Sequence, residues 1–334
     1  MSRSVAPPRV VTLLVLAAAS WGAGTVISKR AVAEIPPLVL LVVQLATSVA
    51  ALWAVTLAAR RHGATADPDH RRGHAAIERL GLLNPGAAYA LSLIGLSQTS
   101  ASLSVLLWAV EPVLILVLAW RWLGERVTSR LAALSIAAAG GMALVVWAPG
   151  VGGQAFGIAV TLAGVGCCAV YSVLTRQRLG DAPSTLRVVL GQQLWALGLA
   201  IALLPAALVL DPGGVLTGAV PGRILDPGVA GAISMDAWLS ATASGIVYYA
   251  LAYACYLAAL RHVAASLAAS AFYLIPVFGV AGGWAFLGER LEPAQWLGAA
   301  IVLLCVVTIA RSVPNRAAGA EAAATTAGPL RRSR

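Results

Sequence analysis

SASLSVLLWAVEPVLILVLAWRWLGER, residues 100–126, occurs a second time in the same chain. Shifted by 164 positions without a gap, it falls on AASLAASAFYLIPVFGVAGGWAFLGER, residues 264–290. Ala101, Ser102, Leu103, Pro112, Val113 and Trp120 return as Ala265, Ser266, Leu267, Pro276, Val277 and Trp284, and the LGER at 123–126 returns at 287–290. The same frame extends upstream, where Tyr89 and Ala90 meet Tyr253 and Ala254. A bias towards Ala, Leu and Val scatters chance matches, but it does not align a proline, a tryptophan and a charged tetrapeptide together. The chain therefore reads as an internal duplication.

Composition sets the solvent. Of 334 residues 60% are hydrophobic and 11% charged, with a mean hydropathy of +0.85. A soluble domain carries about 25% charged residues, so this chain reads as a multi-pass helical membrane protein. The short alternating segments of a β-barrel are missing. Apolar runs fall at 10–29, 37–59, 79–97, 101–123, 128–147, 155–175, 185–209, 237–260, 264–287 and 293–312. Each approaches the roughly 20 residues that a spanning helix needs. The first resembles a signal peptide, but it continues through Trp21 to Lys29 and nine runs follow it, so we read it as a span.

The expected fold is an all-α membrane protein of ten transmembrane helices in two five-helix repeats, 10–147 and 155–312. Residues 1–9 are read as a cytoplasmic N-terminus and 313–334 as a disordered basic cytoplasmic tail. With the N-terminus in the cytoplasm, only Lys29, Arg30, Arg223 and Arg290 of the 23 basic residues fall outside. Cytoplasmic loops are enriched in Lys and Arg, so both termini are expected inside. Five spans per half is an odd number, so the second half enters from the opposite side. Glu125 then lies at the inner end of run 4 and its echo Glu289 at the outer end of run 9. Such inverted repeats are a design of secondary transporters.

The net charge of +10 does not point to nucleic acid, because the basic residues sit between apolar runs and in the tail. The expected partners are a small-molecule substrate and the lipid bilayer; oligomeric state is not legible. Cys167, Cys168, Cys255 and Cys305 lie inside apolar runs without metal-ligand spacing. With no Walker loop, HExxH or GxSxG, we expect no cofactor, no metal and no enzyme.

The doubled pattern of small residues, proline and an apolar run closing in LGER resembles the EamA-type transporters of the drug/metabolite transporter superfamily. Trp21–Gly22 followed by Lys29, and the short helical hairpins, add to the likeness, which covers about residues 10–312. The resemblance implies a ten-helix bundle in a bacterial inner membrane. It also implies a central cavity between spans 1, 3, 4, 6, 8 and 9, and efflux of amino acids, other small metabolites or drugs. Span 6 departs from the pattern: it has no Trp-Gly pair and offers Tyr171–Ser172 near that depth. Shorter relatives are lipid-linked carrier flippases, which gives an alternative reading. A membrane enzyme or sensor would need a soluble domain, and the loops here are too short for one.

Glu111 is the one acidic residue well inside a run. A charge there costs about 2.5–3.5 kcal/mol on insertion scales. It is read as a ligand for a substrate amine, as a carboxyl that takes up a coupling proton, or as a packing residue beside Pro112. The echo position holds Ile275, so one acidic site is expected. Trp108, three residues earlier, is expected on the same helical face. Tyr89, Tyr253, Phe272, Tyr273 and Trp21 are further cavity candidates, able to stack on a ligand or a cation. Gln44 and Asn84 read more readily as ties between helices. Pro112 and Pro276 are expected to kink their spans or act as hinges. Lys29 and Arg30 either snorkel to the interface or face a vestibule. Glu125 and Glu289 cap the next helix or join a gate.

Overall fold

The structure, a computed structural model, describes residues 8–61, 75–108, 110–123, 154–178, 185–210, 233–260 and 271–312, with scattered positions between 129 and 144. The first two runs form α1 (Pro8–Val32) and α2 (Pro37–Arg61). Run 3 begins as α3 (Ala75–Glu78), tightens to a 3-10 turn, widens to a π turn and ends as α4 (Ala88–Gln98). Run 4 is split into α5 (Ala101–Trp108) and α6 (Glu111–Leu123). Next come α7 (Ala155–Arg178) and α8 (Thr185–Leu210). Run 8 is α9 (Met235–Ser244), a π turn and α10 (Ala252–Leu260). The last helices are α11 (Ile275–Leu287) and α12 (Pro293–Ser312).

Among the described residues there is no strand, and every expected run except the fifth is matched by helix. Most of run 5, the start of run 9, Glu125 and both chain ends lie outside the described residues, and the scattered described positions of run 5 are helical. Among the described residues six helical stretches are long and apolar enough to cross a membrane; α11 and the 293–305 part of α12 are shorter apolar helices.

The core centres on α1, which packs against α9, α10 and α11. Its glycines make this possible. A Cβ on Gly22 would lie 2.8 Å from the Gly279 nitrogen and 2.9 Å from the Ile275 oxygen, both on α11. A Cβ on Gly24 would lie 2.7 Å from the Cβ of Tyr248. The half of the Trp21–Gly22 pair that acts here is thus the missing side chain, which lets two backbones touch.

Buried amides join the halves. Gln44 on α2 donates to Ser28 Oγ at 2.8 Å and to Ser244 Oγ at 2.7 Å. Its own oxygen accepts from the Tyr249 hydroxyl at 3.4 Å. Gln193 on α8 accepts from Ser48 and donates to the Tyr249 carbonyl at 3.1 Å. That carbonyl belongs to the π turn Gly245–Leu251, whose wider winding disturbs the i→i−4 ladder. Gln44 is therefore a tie, with both ends of its amide engaged. Gln44→Leu strands several buried hydroxyls and should cost about 1–2 kcal/mol, since ties in membranes are individually weak. Thermal unfolding in detergent reads the loss, and an unchanged midpoint would give the tie no weight.

A second junction lies between α1 and α2. Glu34 accepts from Ser234 N at 2.7 Å and from Ser234 Oγ at 2.8 Å, while the same Oγ accepts from Ala237 N at 3.1 Å to cap α9. The bond from the Ser234 amide, then that from its hydroxyl, holds the Glu34 carboxyl below its ordinary range. Because the folded-state value is the lower one, the tie is complete above the ordinary carboxylate range and fades on acidification below it. Hydrogen exchange at residues 234–238, measured against the intrinsic rate that slows on acidification, should accelerate as pH falls through that window. In Glu34→Gln the extra acceleration should vanish.

Candidate functional site

Glu111 opens α6 in the middle of run 4, where the chain turns at Val110 between α5 and α6. The Val110 carbonyl accepts from Val113 N at 3.0 Å and from Leu114 N at 3.1 Å, so the first turn of α6 is tied to the turn before it. Pro112 occupies the first turn of α6, where a missing N–H leaves no bond unmade. Pro276 stands likewise in the first turn of α11, after a 3-10 turn at Ala271–Leu274. The side chains of Pro112 and Tyr273 lie outside the described residues.

Glu111 is 8% exposed. Ser172 on α7 donates to its Oε1 at 3.4 Å, and the Cys168 thiol one turn away also addresses the carboxylate. Tyr171, Tyr248 and Tyr256 lie within its electrostatic reach. No basic side chain among the described residues is paired with it. Trp108 and Glu111 meet different partners on either side of the turn at Val110. Trp108 packs on Tyr89 at 5.7 Å between ring centroids, whereas Glu111 turns to α7.

The aromatic candidates form a continuous cluster. Trp21 meets Phe272, Tyr253 and Tyr256 edge-on at 5.3, 5.4 and 5.7 Å. Tyr89 meets Tyr249 and Tyr248 at 5.1 and 5.2 Å. The two groups join where the Tyr89 and Tyr253 hydroxyls lie 3.1 Å apart. Tyr253 also donates to Asn84 Oδ1 at 3.3 Å, so Asn84 is, like Gln44, a tie between helices. Tyr256 was missed from the sequence, although it lies three residues beyond Tyr253 and so on the same face.

Beside this cluster is a cavity of about 20 Å³, lined by Tyr89, Trp108, Tyr248 and Tyr249 and by Thr25, Ser28, Ser92 and Ser104. The Ser92 hydroxyl and the Trp21 indole N–H are buried without a partner. Hydroxyls and ring faces with no charge among them suit a small, partly apolar guest. The hydroxyl residues were not singled out from sequence; Thr25 lies one turn beyond Trp21, and that spacing was the available signal.

At the end of the bundle where α1 stops, three charged side chains meet backbone groups of other helices. Lys29 Nζ donates to the Leu96 carbonyl at 2.8 Å and to the Thr99 carbonyl, at the end of α4. Arg30 Nη2 donates to the Phe286 carbonyl, 3.0 Å away in the last turn of α11. Glu289 accepts from Ala101 N at 2.7 Å and Ser102 N at 2.8 Å, at the start of α5. Lys29 thus neither snorkels nor stands free, and Glu289 caps α5 rather than the helix that follows it. Above Glu289 lies a groove with Arg290, Trp284 and Trp296, whose two indoles are exposed.

The model of the EamA-like transporter family matches the chain twice, over residues 8–147 and 155–311. No curated protein matches it. A solved structure described only as the crystal structure of a protein shares the fold at a TM-score of 0.59 and 16% identity, covering 92% of this chain and 97% of that one. Two family matches over nearly the whole length, on a bundle of apolar helices, mean that the chain belongs to the EamA-like transporter family and is a multi-pass membrane transporter of the drug/metabolite transporter superfamily.

Proposed function

We propose that the chain is a secondary transporter of a bacterial inner membrane, with both termini cytoplasmic, that exports amino acids or other small amine-bearing metabolites by alternating access. Residues 10–147 and 155–312 act as five-helix repeats of opposite orientation, with Pro112 and Pro276 at their hinges. Supporting this, Tyr89 and Tyr253 occupy equivalent positions and touch; in two-fold related units, only residues on the axis meet their own counterparts.

The observation that carries the reading is Glu111. It is a buried carboxylate at a mid-span helix break, beside a hydroxyl and a thiol and within reach of tyrosines. So placed, it holds either the ammonium of a substrate or a proton, and that exclusion couples outward movement of one to inward movement of the other. The test is unbiased metabolite profiling of the medium from cells overproducing wild type or Glu111→Gln at matched expression. One metabolite class should accumulate with the wild type alone. Equal accumulation from both would make Glu111 structural. The groove at Trp284, Arg290 and Trp296 favours a second reading, a lipid-linked carrier flippase. That reading predicts an unchanged medium and altered lipid-linked intermediates in membrane extracts.

A further inference from the structure

Lys29, Arg30 and Glu289 do more than finish three helix ends. Lys29 links α1 to α4, and the short chain through Thr99 and Ser100 links α4 to α5. Glu289 links α5 back to α11, and Arg30 links α11 to α1. The four links close a ring around one end of four helices. Gly288, at φ +67°, makes the ring possible by folding the chain back at the end of α11 so that Glu289 reaches α5.

The ring borders the cavity on the α1–α4 side. Leu96, whose carbonyl Lys29 holds, lines that cavity, as does Ser28, the residue before Lys29. At about 20 Å³ the cavity admits a water molecule and not a metabolite, so a guest enters only after the surrounding helices separate. Separation on this side requires at least two of the links to part. Each is a charged side chain on backbone groups, and Lys29 and Glu289 also attract one another across the ring. When it parts, incoming water replaces the partner at both ends, so the closure can reopen without stranding a buried charge.

We infer that Lys29, Arg30 and Glu289 form an electrostatic latch that holds the mouth of the substrate cavity shut at the α1 C-terminal end, and that its release is the opening step on that side. The inference rests on the transporter reading for what passes through the mouth, but its test needs no substrate.

The reporter is Ser92→Cys on the cavity wall, labelled by a membrane-impermeant thiol reagent applied to intact cells or to inside-out vesicles. The parent protein with its own four cysteines gives the background. Glu289→Gln and Lys29→Met should each speed labelling about tenfold or more from the latch face only. Lys29→Arg, which keeps the cation, should stay slow. Should either variant fail to fold, Arg30→Gln replaces it, since Arg30 is exposed at the rim. Unchanged labelling in well-folded variants would overturn the latch, and so would an equal rise from both faces, which signals general loosening. A one-sided rise in a protein that moves no metabolite would keep the latch and reject the export reading.

Discussion

Glu111→Gln should reduce flux of the exported metabolite by about 10–150-fold in proteoliposomes, the worth of one hydrogen-bonded charge in a buried site. The amide matches the carboxyl in shape and still accepts from Ser172, so the break between α5 and α6 is preserved. What it loses is the ability to hold an ammonium or to give up a proton. Glu111→Asp keeps that ability one methylene further back and should retain a measurable fraction. A proton gradient should drive flux in the wild type and leave Glu111→Gln unmoved. If Glu111→Gln instead runs at the wild-type rate, the carboxylate belongs to packing and the coupling idea falls with it.

Gly22→Leu should be the most damaging substitution for folding. A Cβ there already lies within 3 Å of Phe278, Gly279 and Ile275, two of them through backbone atoms. Backbone cannot rotate away as a side chain does, so α1 must part from α11. Overpacking typically costs about 1–3 kcal/mol and occasionally more, and this site belongs at the upper end because a whole helix contact is displaced. The yield of monodisperse protein and its thermal midpoint should both collapse. Gly198→Leu on α8, where an added Cβ meets nothing within 4 Å among the described residues, is the control and should behave as wild type. A Gly22→Leu protein of normal yield and midpoint would show that α1 and α11 need not touch.

The sequence reading went furthest where one physical constraint dominates. Apolar length marks the helices, because a backbone in lipid must satisfy itself within its own segment. Doubling of the Pro and LGER pattern marks the two halves. Glu111 stands out because charge inside a bilayer is costly. Contacts across helices were less legible. Trp108 and Glu111 have the spacing of one helical face, but spacing does not name partners, and Trp108 meets Tyr89 where Glu111 meets Ser172. Glu289 precedes α12 and reads as its cap, yet α12 has its own, since the Glu292 amide donates to Gln295 Oε1 at 3.0 Å. With that end satisfied, the positive φ of Gly288 sends Glu289 to α5. Gln44 and Asn84 were legible as polar and buried, but not in their partners, which lie up to 205 positions away. Such pairings depend on how helices cross, and a periodic pattern carries no information about crossing.

The hydroxyls of Tyr89 and Tyr253 form one hydrogen bond; Tyr89 is the donor while Tyr253 gives its proton to Asn84, and Tyr253 becomes the donor once it turns from Asn84 to Tyr89. Suppose two equivalent halves trade shapes. Almost every contact in the molecule is then replaced by its mirror partner elsewhere, but a contact between a residue and its own counterpart is replaced by itself. The Tyr89–Tyr253 bond can thus survive the whole cycle, with only its direction reversed. It would act as a bearing on which the halves turn, and a paired rotation of the two hydroxyls, without proton release, would record which way they face.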